Sequence, residues 1–254
     1  ATLLTRQDKF EILGITTCYG RTDDRAKVVL KMLYETGQGH IPVALGRNTS
    51  NIDARANWYA EQYYWAQGFE KLKPIKQSAA DFIIENIRKY PKEVIVISVG
   101  PVTNMADVIG YNTTAEIHAE WNVKVDIPAS KKFVNSGADI VYAGLDVTAM
   151  VKLDKTKRDL LLMRQSPLTN ALSALYVLWG NETPTLFDPV AIGMIIYPEL
   201  FKTKKIHTYV DDKGFTRVDE TIPPNAEIGI GIDTNEFLKR LMKGFLLQNM
   251  ERKD

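Results

Sequence analysis

The sequence predicts an α/β fold: an open, mostly parallel sheet with helices on both faces and a small antiparallel edge. Apolar periodicity alternates between strand-like and helix-like segments along most of the chain, the rhythm of a sheet covered by helices. Capping residues, glycine and proline fall where the period changes. At 254 residues, 45% hydrophobic and 25% charged, the chain has the length and composition of one large globular domain, expected over residues 1–254.

The first strand-like segment is 11–17. After the loop 18–21, Thr22 is expected to cap a helix with Asp23 and Asp24 in its first turn, where the helix dipole favours them. Its buried stripe is Ala26, Val29, Leu30 and Leu33, and Gly37 ends it. A short strand at 41–45 leads into 47–73, a polar and aromatic stretch that reads as an insertion. Its rings, Trp58, Tyr59, Tyr63, Tyr64 and Trp65, either pack against the body or line a pocket that stacks on a flat ring. Ser78 with Asp81 opens a helix running to about residue 90. Beyond Pro91, residues 94–99 are the most strand-like of all and are expected to be central. They end in Gly100-Pro101-Val102-Thr103-Asn104, a rigid turn at the kind of strand end where open α/β sheets place ligands.

A helix is expected at 128–135, a strand at 140–143, and helices at 157–163 and 168–179. Residues 205–210, 216–219 and 226–230 look like the antiparallel edge. Asp233 with Glu236 then forms a capping box for a last helix that buries Phe237, Leu238, Leu241, Met242, Phe245 and Leu246.

Charge and composition exclude several function classes. Lysine plus arginine total 32 against 31 acidic residues, and a net charge of +1 gives no field for gripping a phosphate backbone, so nucleic acid is not expected as a partner. No apolar run approaches a membrane span. The single cysteine, Cys18, closes no intrachain disulfide and fits a reducing, cytoplasmic compartment. Neither a P-loop, a dinucleotide-binding glycine loop nor a nucleophile elbow is present. His40, His118 and His207 are scattered, and only His118 stands near a polar cluster.

Three polar clusters need a reason: 100–104, Ala119-Glu120-Trp121-Asn122, and Phe187-Asp188-Pro189. In the last, Asp188 stands before an apolar segment, 189–197, that reads as a buried helix beginning at a proline. Asp188 either caps that helix or is a carboxylate placed to hold a hard cation or manage a proton.

Taken in order, Leu13-Gly14-Ile15-Thr16-Thr17, Gly100-Pro101-Val102-Thr103-Asn104-Met105-Ala106, Ala119-Glu120-Trp121-Asn122, Gly144-Leu145-Asp146-Val147-Thr148 and Phe187-Asp188-Pro189-Val190-Ala191 resemble the inosine-uridine nucleoside N-ribohydrolase family over nearly the whole chain. The resemblance implies a hydrolase that cleaves the N-glycosidic bond of ribonucleosides to ribose and free base. It implies a calcium ion held by amino-terminal aspartates, a threonine main-chain carbonyl matching Thr103 and a later aspartate matching Asp188. An amino-terminal aspartate takes the proton of the attacking water. Glu120 and Asn122 match the residues that hydrogen-bond the ribose, with Trp121 between them, and Phe187 adjoins the base. The resemblance further implies a homo-oligomer acting on a small nucleoside.

The sequence departs from that pattern in four places. The Asp-x-Asp-x-x-x-Asp-Asp motif of the family's first strand is not found after Ala1, so the protein is expected to continue upstream. A further strand with a Gly-rich turn is lacking between Ile109 and Gly110. Phe187 stands where many members carry a histidine suited to protonating the leaving base, leaving that task to His118, to a tyrosine of the insertion, or to no residue. Arg21 stands where many members carry an asparagine, and it suits a carboxylate or a phosphate on an unusual substrate. Two rival readings remain open at this level: a riboside-binding protein of the same fold whose hydrolytic machinery has decayed, and another α/β sugar or nucleotide enzyme in which Asp188 only caps a helix.

Overall fold

The computed structural model describes residues 1–49, 61–101 and 121–252. Their strands are β1 (Ile15–Thr17), β2 (Val43–Leu45), β3 (Ile140–Tyr142), β4 (Phe201–Val210), β5 (Thr216–Asp219) and β6 (Ala226–Ile232). The helices are α1 (Thr22–Glu35), α2 (Tyr63–Ala66), α3 (Ala79–Lys89), α4 (Trp121–Lys124), α5 (Ile127–Val134), α6 (Leu145–Thr148), α7 (Lys155–Arg164), α8 (Pro167–Trp179), α9 (Phe187–Ile196) and α10 (Thr234–Leu247). The α/β class and the antiparallel edge are those expected. The chain divides into two compact units, one of residues 1–96, 153–184 and 241–254, the other of 97–152 and 185–240.

In the first unit β1 and β2 pair in parallel, Ile15 opposite Val43 and Thr17 opposite Leu45. Helix α1 packs on both strands through Ala26, Leu30 and Leu33, with Val29 only half-buried. It begins at Thr22, one residue before the expected start; Arg21 takes the cap position without a side-chain bond, so Thr22 is not the cap. Of the aromatic stretch, Tyr63 and Trp65 pack against lysines of α1, Tyr64 is exposed, and Trp58 and Tyr59 lie outside the described residues. Lys27 donates to the Tyr63 hydroxyl at 3.4 Å, and the Lys31 ammonium lies 4.6 Å from the Trp65 ring centre while bonding the Trp65 carbonyl. Helix α3 begins where Ser78 accepts from the Asp81 amide, as its sequence foretold.

Residues 94–99 correct the sequence reading. They join no ladder, and Ile95, Val96 and Val99 are exposed. Their apolar run expresses a demand for burial and pairing, but a strand needs a neighbour's backbone, and none among the described residues supplies it.

The second unit is built on a four-stranded sheet in the order β3-β6-β4-β5. β3 and β6 pair in parallel, while β4 runs antiparallel to both β6 and β5. Ile140, Tyr142, Ile206, Val210, Ala226 and Ile228 form one core layer with Val123 of α4 and Val134 of α5. On the opposite side of β6, Gly229 has no room for a side chain: an added Cβ would stand 3.3 Å from Val147 of α6 and from Met194 of α9. Strand alternation therefore sends α4 and α5 to one face and α6 and α9 to the other. Asp233 caps α10 by accepting from the Glu236 amide at 3.0 Å, but the Glu236 carboxylate turns to Lys239 and Arg240, so the expected reciprocal box does not close.

Candidate active site

Asp188 occupies the second position of α9. The helix starts at Phe187, two residues before the expected proline start, and Leu186 holds the cap position with no side-chain bond. Pro189 is tolerated inside the first turn because the amides there have no helical partner to lose. The start is fixed from below. The Leu186 amide donates to the Val151 carbonyl at 2.8 Å, residues 152 and 185 bridge antiparallel, and Leu186 and Val190 are buried. The capping role is thereby overturned: Asp188 lies past the cap and among the described residues bonds no amide.

The carboxyl is open to solvent, yet enough protein surrounds it for desolvation to push its pKa from the ordinary 3.8 up to about 6. No cation or hydrogen bond among the described residues offsets that desolvation. Such a carboxylate is ionised in neutral water and free to take a ligand. Beside it the Phe187 ring is 40% exposed.

Trp121 and Asn122 lie together at the start of α4, Trp121 exposed and Asn122 half-buried, anchored by the fully buried Val123 that follows. The structure thus forms two adjacent pairs within the second unit, Phe187 with Asp188 on one face of the sheet and Trp121 with Asn122 on the other. Helix α6, which starts just past the carboxyl end of β3, packs against α9 and links the latter's layer to that strand end. Gly100 and the buried Pro101 open the third cluster, with Ser98 donating to the Gly100 carbonyl at 3.4 Å. Thr103, Glu120 and His118 lie outside the described residues.

In the first unit, the loop after β1 carries a feature the sequence did not flag. Tyr19 and Gly20 are consecutive left-handed residues, at φ 61° and 63°. The bend is costly for a tyrosine and is held by the Thr49 hydroxyl on the Gly20 amide, the Thr49 amide on the Gly20 carbonyl, and Arg25 on the Tyr19 carbonyl. The sequence signal was the Tyr-Gly pair itself. Arg21 lies 3.6 Å from Asp24, an ion pair within the helix start. Cys18 is a half-buried thiol that forms no disulfide. His207 is tied to the Pro223 carbonyl at 2.9 Å, and His40 is exposed.

A calcium site needs about six to eight oxygen ligands. Among the described residues no group of three or more histidine, cysteine or acidic side chains converges to hold a metal. Asp188 fits one place in such an oxygen shell: a hard, solvent-reachable carboxylate with no cation beside it among the described residues.

These features define a class: an α/β protein that presents a partly desolvated carboxylate beside one exposed aromatic ring and, on the other face of the sheet, a side-chain amide beside another. A model of the inosine-uridine preferring nucleoside hydrolase family matches residues 1–115 and 109–239. Uridine nucleosidase 1 of Arabidopsis thaliana is 26% identical, over 81% of this chain and 72% of that protein. The pyrimidine-specific ribonucleoside hydrolase RihA of Citrobacter koseri is 25% identical, over 92% of this chain and 89% of its own. In structure the chain resembles a purine-preferring ribonucleoside hydrolase from Gardnerella vaginalis, with a TM-score of 0.79, 22% identity, and coverage of 92% of this chain and 90% of that one.

The chain belongs to the inosine-uridine preferring nucleoside hydrolase family and is a hydrolase acting on nucleosides. The alignment with the Citrobacter protein runs over 281 positions while taking in 92% of these 254 residues, so that relative carries residues with no counterpart here. The two stretches matched by the family model overlap at residues 109–115.

Proposed function

We propose that the protein cleaves the N-glycosidic bond of inosine- or uridine-like ribonucleosides to ribose and free base, with calcium as its metal. Asp188 and the Thr103 carbonyl would be two of the ion's ligands, and Glu120 and Asn122 would hold the ribose. The observation that carries the proposal is Asp188 itself: a carboxylate placed past the helix cap, partly desolvated, and bonded to nothing among the described residues. Calcium, when bound, supplies Lewis acidity and holds oxygen ligands in a fixed array.

The remaining chemistry belongs to the chain. The Asn122 amide has both a donor and an acceptor to offer a sugar hydroxyl. A ring lacking that hydroxyl leaves a polar group unpaired, at about 1 to 3 kcal/mol. Carboxylate charge near C1′ stabilises the positive charge that develops as the base departs. Exposed Phe187, directly before Asp188, offers a flat surface for the base.

A homo-oligomer is part of the same proposal. Leu162 and Met163 near the end of α7 and Val177 and Trp179 near the end of α8 are 42–76% exposed, apolar side chains of the kind that partner subunits cover. No helix among the described residues is long and apolar enough to cross a membrane. The test is hydrolysis of inosine and uridine by the full-length protein with and without a calcium chelator. Turnover that chelation abolishes and calcium restores is the expected result; turnover untouched by chelation overturns the metal assignment.

A further inference from the structure

Hairpin turns normally stand in solvent. Gly214, in the turn between β4 and β5, is instead buried. A Cβ added there would stand 3.0 Å from the Lys124 Cα of α4 and 3.2 Å from the Ile127 side chain of α5. Its φ of 81° also lies in the region that favours glycine. Two residues away, Asp212 pairs with Lys131 of α5. The turn therefore rests on the backbone of the short helix that carries Asn122.

That helix cannot hold its own place. Helix α4 is one turn, closed by the bond from the Val125 amide to the Trp121 carbonyl at 3.1 Å, and so short a helix has no stability of its own in water. Tertiary contacts position it: the buried Val123 side chain, the Ser130 hydroxyl donating to the Val123 carbonyl at 3.3 Å, and Gly214 against Lys124. The hairpin turn is the stiffer partner. The Asp211 carboxylate accepts from the Lys213 and Phe215 amides at 2.9 Å each and from the Arg217 guanidinium at 3.0 Å, and the Asp211 amide donates to the Phe215 carbonyl at 2.9 Å. A side chain at 214 would thus push Lys124 by a few tenths of an ångström, and Asn122, two residues back in the same turn, would move with it.

We propose that Gly214 is a positioning residue: by letting the hairpin turn approach α4 closely, it sets Asn122 for its bond to the sugar. The proposal rests on the reading of Asn122 as a residue that holds the ribose. Its test compares kcat/KM for inosine with kcat/KM for the 2′-, 3′- and 5′-deoxy analogues, in the full-length protein and in its Asn122→Ala, Gly214→Ala and Gly214→Asn variants. Any loss of folded enzyme cancels in these ratios. Asparagine tolerates a positive φ better than alanine, so Gly214→Asn relieves the backbone strain and keeps the close-approach defect.

Asn122→Ala should lower discrimination against the analogue that lacks its hydroxyl by about fivefold or more. Both Gly214 variants should lower discrimination against that same analogue by about threefold or more and leave the other two ratios within about twofold. Ratios unmoved in the Gly214 variants, or lowered alike for all three analogues, overturn this inference and leave Asn122 on the sugar. An Asn122→Ala variant that lowers no ratio overturns the reading of Asn122 and this inference with it.

Discussion

Two aspartates stand at the starts of two helices and do opposite things. Asp154 sits at the cap of α7, where its carboxylate accepts from the Lys157 amide at 2.9 Å and pairs with the Lys157 ammonium at 2.5 Å. Those bonds hold its pKa below the ordinary carboxylate range. Asp188 sits two places past the cap of α9, bonds nothing among the described residues, and is pushed by desolvation up to about 6. Asp154 stabilises a helix. Asp188 leaves the folded apoprotein less stable once ionised, as expected of a group kept for a ligand.

The contrast can be broken most forcefully at the chemistry. Asp188→Asn should lower kcat/KM for nucleosides by about 10²-fold or more, since the lost charge acts on the transition state, whereas Asp154→Ala should leave turnover unchanged. Equal losses in the two variants, in a steady-state assay at matched folded fraction, would erase the distinction.

Stability should show the reverse order. Asp154→Ala should lower the stability measured by denaturant unfolding by about 0.5 to 2 kcal/mol, the range for losing a capping side chain. Asp188→Asn should not destabilise at neutral pH. Gly193→Ala serves as a control on α9 itself: its new methyl would meet Phe237 at 2.4 Å and should cost about 1 to 3 kcal/mol while sparing the carboxylate.

The smallest effect is in pH dependence, and it has opposite signs. Asp154, with a depressed pKa, contributes stability that is present above the unfolded value of 3.8 and lost as pH falls through the folded value. Asp188, with a raised pKa, contributes stability present below 3.8 and lost as pH rises through about 6. Melting curves across that window should therefore show Asp188→Asn gaining on the parent protein as pH rises, and Asp154→Ala approaching it as pH falls. A gain that does not grow with pH would mean that the Asp188 carboxyl is not desolvated.

Much of the fold was legible because local chemistry decides it. Ser78 and Asp81 mark the start of α3, Asp233 marks the start of α10, and alternation marks β4, β5 and β6. The failure at 94–99 has a physical cause: apolar residues of high strand propensity record a preference, while pairing depends on backbone that lies elsewhere in the chain.

The candidate site was legible in its residue types and less so in its geometry. Phe187, Asp188, Trp121 and Asn122 were all picked from sequence, but the proline at 189 drew the helix start two residues too late, which kept a capping role open as one of the two readings of Asp188. The Tyr19–Gly20 bend was missed because a left-handed tyrosine is held by partners as distant in sequence as Thr49. The reciprocal capping box at Ser166 and Thr169 was missed for a simpler reason: threonine stands where glutamate or glutamine usually does.

The account stands on Asp188 as a calcium ligand, and calorimetric titration of calcium into the full-length protein and its Asp188→Asn variant tests it most directly. Saturable binding in the parent protein, weakened at least tenfold in the variant, is the predicted result. Binding of equal strength in both, or none in the parent protein, would contradict it.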